Sequence, residues 1–260
     1  MDRNRLTVLV GSNNPTKVNA VKQAFFDVFP EQLFSIKEIQ KLDDFINANS
    51  DKEKKANETK SSTGNLKISL WNHPSEDLIG NFSTNERIVR PMENYLGDEV
   101  YHYHSKIIWK RPGDGGFDWH QDYGYWYHNA CLYPDMGSCF IMLDRATKEN
   151  GCLKLLKGSH KVGRISHGNS EDNPEQTADI ERITQLEKRH ECISVYAEPG
   201  DALFFHSNLL HSSDANKSKE SRRTLIVCFN TKTNNPYKEI GHASYSPLKI
   251  SSYDSIIKNK

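Results

Sequence analysis

The segment Phe117-Asp118-Trp119-His120-Gln121-Asp122-Tyr123 sets a histidine and an aspartate two positions apart. On an extended chain such residues project to one face, so an imidazole nitrogen and a carboxylate oxygen can meet the same metal ion. A third ligand must come from a distant part of the fold. His211, in Phe204-Phe205-His206-Ser207-Asn208-Leu209-Leu210-His211-Ser212-Ser213, is the best candidate. Two histidines and a carboxylate on one face of an octahedron leave three positions open. That geometry suits non-haem iron(II) that binds a bidentate cosubstrate together with dioxygen.

A His-x-Asp alone is a weak signal in a chain with 11 histidines, and its surroundings strengthen it. Arg222 follows His211 through the polar stretch Asp214 to Ser221 and opens the apolar run Thr224-Leu225-Ile226-Val227-Cys228-Phe229. An arginine directed into a barrel is costly unless it meets an anion, and its planar fork matches a carboxylate. Arg223 stands beside it, and strand parity lets only one of the two point inward. Spacing alone does not choose between them.

These residues have to be held by short β-rich pieces separated by turn residues: Val100–Lys110, Cys139–Leu143, Cys152–Leu156, Cys192–Tyr196, Ala202–Phe205 and Thr224–Asn230. Such strands, with Pro-Gly-Asp and Asn-Gly turns, predict an antiparallel jelly roll, mainly β with flanking helices. Ahead of them, Thr7–Val10 reads as a strand and the stretch from Lys17 as a helix. A second helix is expected around Ser35 to Ile46, with Ser35 and Glu38 forming a capping box, and a third over Glu86 to Leu96, interrupted by Pro91. Asn47 to Asn65 is almost wholly polar and reads as an exposed loop. Ser166 to Lys188 reads as an insertion near one end of the barrel.

Plainer readings apply to several side chains. His206 precedes His211 by an odd spacing and fits a structural role better than a ligand role. His102 and His104 alternate with tyrosines as on a half-solvated strand, and His160, His167 and His190 read as surface or turn residues. Arg164 and Lys157 read as a solvated pair. Cys131, Cys139, Cys152, Cys192 and Cys228 form no Cys-x-x-Cys pair and read as reduced core residues. Lys plus Arg and Asp plus Glu each number 34, so no net charge draws the chain to nucleic acid or an anionic membrane. No run has the roughly 18 apolar residues of a membrane span, and a cytoplasmic location is the expectation.

The order of His120-x-Asp122, distal His211 and Arg222 resembles that of the phytanoyl-CoA dioxygenase family, which includes ectoine hydroxylase. Further matching segments are Tyr103-His104-Ser105-Lys106, Trp119 to Tyr127, Asn150-Gly151-Cys152-Leu153, Gly158-Ser159-His160 and Pro199-Gly200-Asp201. The resemblance runs from about Phe34 to Pro236. It implies a double-stranded β-helix, cupin-like, that uses Fe(II), 2-oxoglutarate and O2. Oxidative decarboxylation of 2-oxoglutarate to succinate and carbon dioxide would be coupled to hydroxylation of a small organic molecule: an amino-acid derivative, organic acid or acyl conjugate. Carried over residue by residue, His120, Asp122 and His211 match the iron ligands. Arg222 rather than Arg223 matches the arginine that holds the cosubstrate carboxylate, Ser213 matches a serine on the same carboxylate, and Lys106 lies in a strand lining that pocket. Tyr123 and Trp126 are candidates for the substrate pocket. Asp122 separates the chain from halogenases of this class, in which a small residue replaces the carboxylate.

Residues 1–29 resemble instead the start of the inosine/xanthosine triphosphatase family, through Val8-Leu9-Val10-Gly11-Ser12-Asn13-Asn14-Pro15-Thr16-Lys17-Val18. The rest of that enzyme is absent, so they read as a fused remnant without nucleotidase activity. The expected organisation is a remnant over 1–30, the oxygenase domain over 31–250 and a tail over 251–260. The rival reading is a catalytically silent jelly roll that binds metal or ligand without turnover.

Overall fold

The computed structural model describes residues 33–49, 56–168, 177–239 and 241–258. The remnant expected at residues 1–30 lies outside them.

Helix α1 (Ile36–Ala48) starts where the sequence places it. The Ser35 hydroxyl accepts from the Glu38 backbone N–H, and the Glu38 carboxylate accepts from the Ser35 N–H, closing the capping box. The polar stretch after it is not a simple loop. It supplies the antiparallel hairpin β1 (Asn57–Ser61) and β2 (Gly64–Trp71). A hairpin with one face in water needs few apolar residues, which is why composition conceals it. Helix α2 (Leu78–Ser83) is followed by α3 (Glu86–Leu96), which runs through Pro91 and ends at Gly97 in the left-handed region, φ 79°.

The strands β3 (Val100–Lys110), β4 (Phe117–His120), β5 (Met136–Met142), β6 (Leu153–Leu156), β7 (Cys192–Ser194), β8 (Ala202–His206), β9 (His211–Ser213) and β10 (Arg222–Thr231) build two sheets. One has the order β1-β2-β3-β10-β5-β8 and the other β4-β9-β6-β7, every pairing antiparallel. This is the expected jelly roll. Two short helices, α4 (Asp122–Trp126) and α5 (Ile180–Glu187), sit in the connections.

Parity divides the core in two. Leu225, Val227 and Phe229 of β10, Ile107 and Trp109 of β3, and Cys139 and Ile141 of β5 pack outward against α1, α2 and α3. Ile226 and Cys228, Ile108, and Phe140 and Met142 face inward, toward Leu153 and Leu155 of the smaller sheet. The register slips between Cys228 and Phe229, whose partners are His104 and His102, leaving Tyr103 unopposed. A residue added to one strand re-aims its neighbours. Tyr103 and His104 therefore both turn inward, while His102 turns to the outer groove. Both histidines are buried, His102 at 4% and His104 at 5% exposure, not half-solvated as their alternation suggests.

Residues 251–258, expected as part of a tail, pack against the body. Ser251 forms a parallel bridge with Asn85, and the last helix, α6 (Ser255–Lys258), buries Ile256 completely. Of the five cysteines four are buried as expected, but Cys192 is exposed, because it opens the edge strand β7. No helix among the described residues is long and apolar enough to cross a membrane.

Candidate metal centre

The end of β4 and the start of β9 lie opposite each other, so His120 and His211 are cross-strand partners. Their ring centroids are 4.1 Å apart. Asp122 does not share the strand with His120. Gln121 is extended and caps α4, and Asp122 is that helix's first residue. The turn brings its Oδ1 to 3.9 Å from His211 Nε2. One donor atom from each of the three residues lies within 4.8 Å of the others, and among the described residues no other such group forms.

Local backbone fixes the orientation of both rings. His120 Nδ1 donates to the Asp118 carbonyl at 2.7 Å, and His211 Nδ1 donates to the Leu209 carbonyl at 2.9 Å. With the proton on Nδ1, each Nε2 keeps its lone pair for a metal. The Ser138 hydroxyl donates to Asp122 Oδ2 at 2.8 Å. Burial, with His211 beside it, pushes the pKa of His120 well below its ordinary value, and burial lowers that of His211. Burial would raise that of Asp122, but His211, Lys106, His120 and the Ser138 hydroxyl outweigh it and hold the carboxylate below its usual range. Two neutral imidazoles and a carboxylate at neutral pH are the protonation states a divalent metal requires.

Gln121 is fully buried and clamps the segment between the ligands. Its amide donates to the carbonyls of Gly163 and Asn208, each at 2.8 Å, and accepts from the Ile165 N–H at 2.7 Å. Its own backbone N–H donates to His167 Nε2 at 2.9 Å, so His167 supports the site and is no mere turn residue. Sequence reasoning passed over Gln121 and read His167 as a surface or turn residue, since the partners of both are backbone groups distant in sequence.

A small pocket adjoins the site, lined by the two donor histidines and by Lys106, Phe117, Ser213, Arg222 and Thr224 among others. Parity settles the two arginines. Arg222 pairs with Lys110 across β3 and β10 and faces the pocket at 3% exposure. Arg223 faces the other way, where Asp144 and Asp43 neutralise it. Arg222 donates through Nη1 to Thr224 Oγ1 at 3.1 Å, while its buried Nε has no partner. Burial pushes its pKa down to about 10. Lys106 projects from β3 into the same pocket, opposite Ile226.

Ser213 also lines the pocket. Its Oγ accepts from Lys110 Nζ at 2.8 Å and from the Phe117 N–H at 3.2 Å. Lys110 is another residue that sequence reasoning missed, although it shares the parity of Lys106 and Ile108 on an apolar strand. Neither Tyr123 nor Trp126 lines this pocket. The Tyr123 hydroxyl donates to the Cys131 carbonyl at 3.1 Å, and Trp126 packs edge-on against Tyr103 and His104. His104 carries two buried ring nitrogens without a hydrogen-bond partner. His206 is structural, its Nδ1 accepting from the Asn208 N–H at 3.0 Å. Arg164 is not paired with Lys157; it stacks over the Tyr127 ring at 4.1 Å.

A far larger groove of about 1030 Å3 lies on the outside, beside Lys41, His73, Asp77 and His102. Size would favour it. The convergent donors and the unmatched cation are inside the barrel instead.

Residues 9–224 match the phytanoyl-CoA dioxygenase (PhyH) family. The chain belongs to that family. Phytanoyl-CoA dioxygenase relatives include an L-proline trans-4-hydroxylase from Streptomyces griseoviridis, 28% identical over 63% of this chain and 67% of its own length. An ectoine dioxygenase from Sphingopyxis alaskensis is 28% identical over 65% of this chain, which spans only 59% of that relative. The crystal structure of EctD from S. alaskensis with 2-oxoglutarate and 5-hydroxyectoine superposes with a TM-score of 0.72 at 22% identity, over 97% of this chain and 94% of that one. A structure of EctD from S. alaskensis with bound Fe superposes equally well, TM-score 0.72. Members of the phytanoyl-CoA dioxygenase family are dioxygenases that use iron, 2-oxoglutarate and dioxygen, and the donor set described above fits that requirement.

Proposed function

We propose that this chain hydroxylates a small organic molecule at the expense of 2-oxoglutarate, with His120, Asp122 and His211 as the ligands of iron(II). The observation that carries the reading is the junction of two features. Three donors converge with their metal-binding atoms free, and a buried guanidinium without a carboxylate lines the pocket that His120 and His211 border. A cation so placed needs an anion of matching shape, and the far carboxylate of 2-oxoglutarate supplies one. Arg222 and Ser213 would hold that carboxylate, and Lys106 would contribute positive charge between it and the metal.

Iron, when bound, supplies the redox chemistry that joins decarboxylation of 2-oxoglutarate to hydroxylation of a C–H bond. The protein's part is to keep both imidazoles in the Nε2-accepting tautomer, hold Asp122 ionised and keep water from the pocket.

Anaerobic titration of the protein with iron(II) and 2-oxoglutarate tests the reading. A weak visible charge-transfer band should appear, and fade in air as succinate forms. Asp122→Ala should keep its fold and show neither band nor succinate. Full activity in that variant would overturn the ligand set. A folded wild-type protein that binds iron without the band would leave a binding module without turnover.

A further inference from the structure

Lys110 is 0% exposed, and no described carboxylate pairs with it. Its ammonium instead has three neutral acceptors: the Gly151 carbonyl at 3.2 Å, the Ser213 hydroxyl at 2.8 Å and the Asp214 carbonyl at 2.6 Å. Burial, with Arg222 nearby, pushes its pKa down to about 6. Against that, three acceptors are matched only by the three protons of the charged form. Burying an ammonium in this way is costly, and Gly151 is shaped to permit it. A Cβ there would stand 2.2 Å from the Asp214 carbonyl oxygen and 3.0 Å from Lys110 Nζ, on a backbone with φ 74°.

The consequence falls on Ser213. A hydroxyl oxygen has two lone pairs and one proton. Lys110 and the Phe117 N–H occupy both lone pairs of Ser213, so the hydroxyl can act toward the pocket only as a donor. Without Lys110 the oxygen could present a lone pair there and repel an anion. With it, the donor stands in the pocket that Arg222 lines.

We infer that Lys110 is a positioning residue that holds the Ser213 hydroxyl as an obligate donor toward the far carboxylate of 2-oxoglutarate, without touching that carboxylate itself. This rests on the assignment of the pocket made above. It predicts an effect confined to ligands that carry the second carboxylate.

The test compares 2-oxoglutarate with 2-oxobutyrate, which has the same chelating end and lacks the far carboxylate. Each is titrated calorimetrically, without air, into the protein loaded with manganese(II). Lys110→Met should weaken 2-oxoglutarate by about tenfold, the worth of a hydrogen bond to a charged group, and leave 2-oxobutyrate and manganese(II) affinities unchanged. Ser213→Ala should do the same, and the double variant should be no worse than Ser213→Ala alone. Equal loss for both ligands, loss for neither, or additive losses would overturn the inference. Should Lys110→Met not fold, Lys110→Leu, which likewise has no donor for Ser213, replaces it, and a wild-type preference for 2-oxoglutarate in that variant would overturn the inference equally. A wild-type protein with no preference for 2-oxoglutarate over 2-oxobutyrate would remove the pocket assignment itself.

Discussion

Arg87 and Arg222 are cations at the same depth, 2% and 3% exposed, in surroundings of opposite character. Arg87 sits beneath the helices with each of its three guanidinium nitrogens hydrogen-bonded. Glu38 receives two bonds, at 2.6 and 3.2 Å, and Leu33 O and Asn85 Oδ1 receive the others. The guanidinium also lies between the rings of Phe34 and Tyr253, at 4.3 and 4.6 Å. Arg222, inside the barrel, has one hydroxyl and an unpartnered Nε. The first is a closed structural joint. The second is an open one, the guanidinium to which we assign the cosubstrate carboxylate. Burial therefore says little about a charged side chain until its partners are counted.

Substitution by methionine should separate the two. Arg87→Met leaves Glu38 buried without its cation, and should cost about 3–5 kcal/mol of stability by denaturant titration. Arg222→Met removes an unpaired cation, and should leave the apo protein at least as stable while weakening 2-oxoglutarate about a hundredfold. If Arg222→Met unfolds the protein as Arg87→Met does, the contrast fails.

Two histidines largely withdrawn from water extend the comparison to pH. Burial pushes the pKa values of His102 and His206 from 6.5 to about 4. Between those limits the unfolded chain takes up protons that the folded chain refuses. Stability should thus fall as pH drops from 6.5 toward 4, by about 1.4 kcal/mol per pH unit for each group. Melting of the metal-free protein across that range checks it. His102→Gln should flatten the slope, and an unchanged slope would discount His102. The smallest expected effect is at Ser138. Ser138→Ala removes the bond that turns Asp122, and should weaken metal binding about tenfold with no change in the preference for 2-oxoglutarate over 2-oxobutyrate.

Much of this was legible in the sequence because local rules carry it. Val100–Lys110 was found to the residue by its β-rich composition, and Ser35 with Glu38 announced a helix start. The donors His120, Asp122 and His211 stood out because Arg222 and several further segments follow in the order of the resembled family, not by their own spacing. The rest depended on register. Residue types do not reveal the slip at Tyr103, so the exposure of His102 and His104 was misjudged. Parity ruled that only one of Arg222 and Arg223 could enter the barrel, and only the pairing with Lys110 and Trp109 says which. Lys110 looked like a strand end, and its role lies in contacts a hundred residues away. The spacing of His120 and Asp122 was read as one extended strand, whereas the chain turns into a helix between them.

Each metal-facing imidazole is steadied by a carbonyl two residues earlier in its own chain, Asp118 for His120 and Leu209 for His211. Ring orientation is thus inherited with a three-residue piece of backbone and asks nothing of remote side chains. A lineage can exchange most of its barrel, loops and surface without having to rediscover how to aim these two nitrogens, provided the two short strands still meet. Such self-contained parts let chemistry outlast sequence, and they leave the remainder of the pocket free to drift toward new substrates.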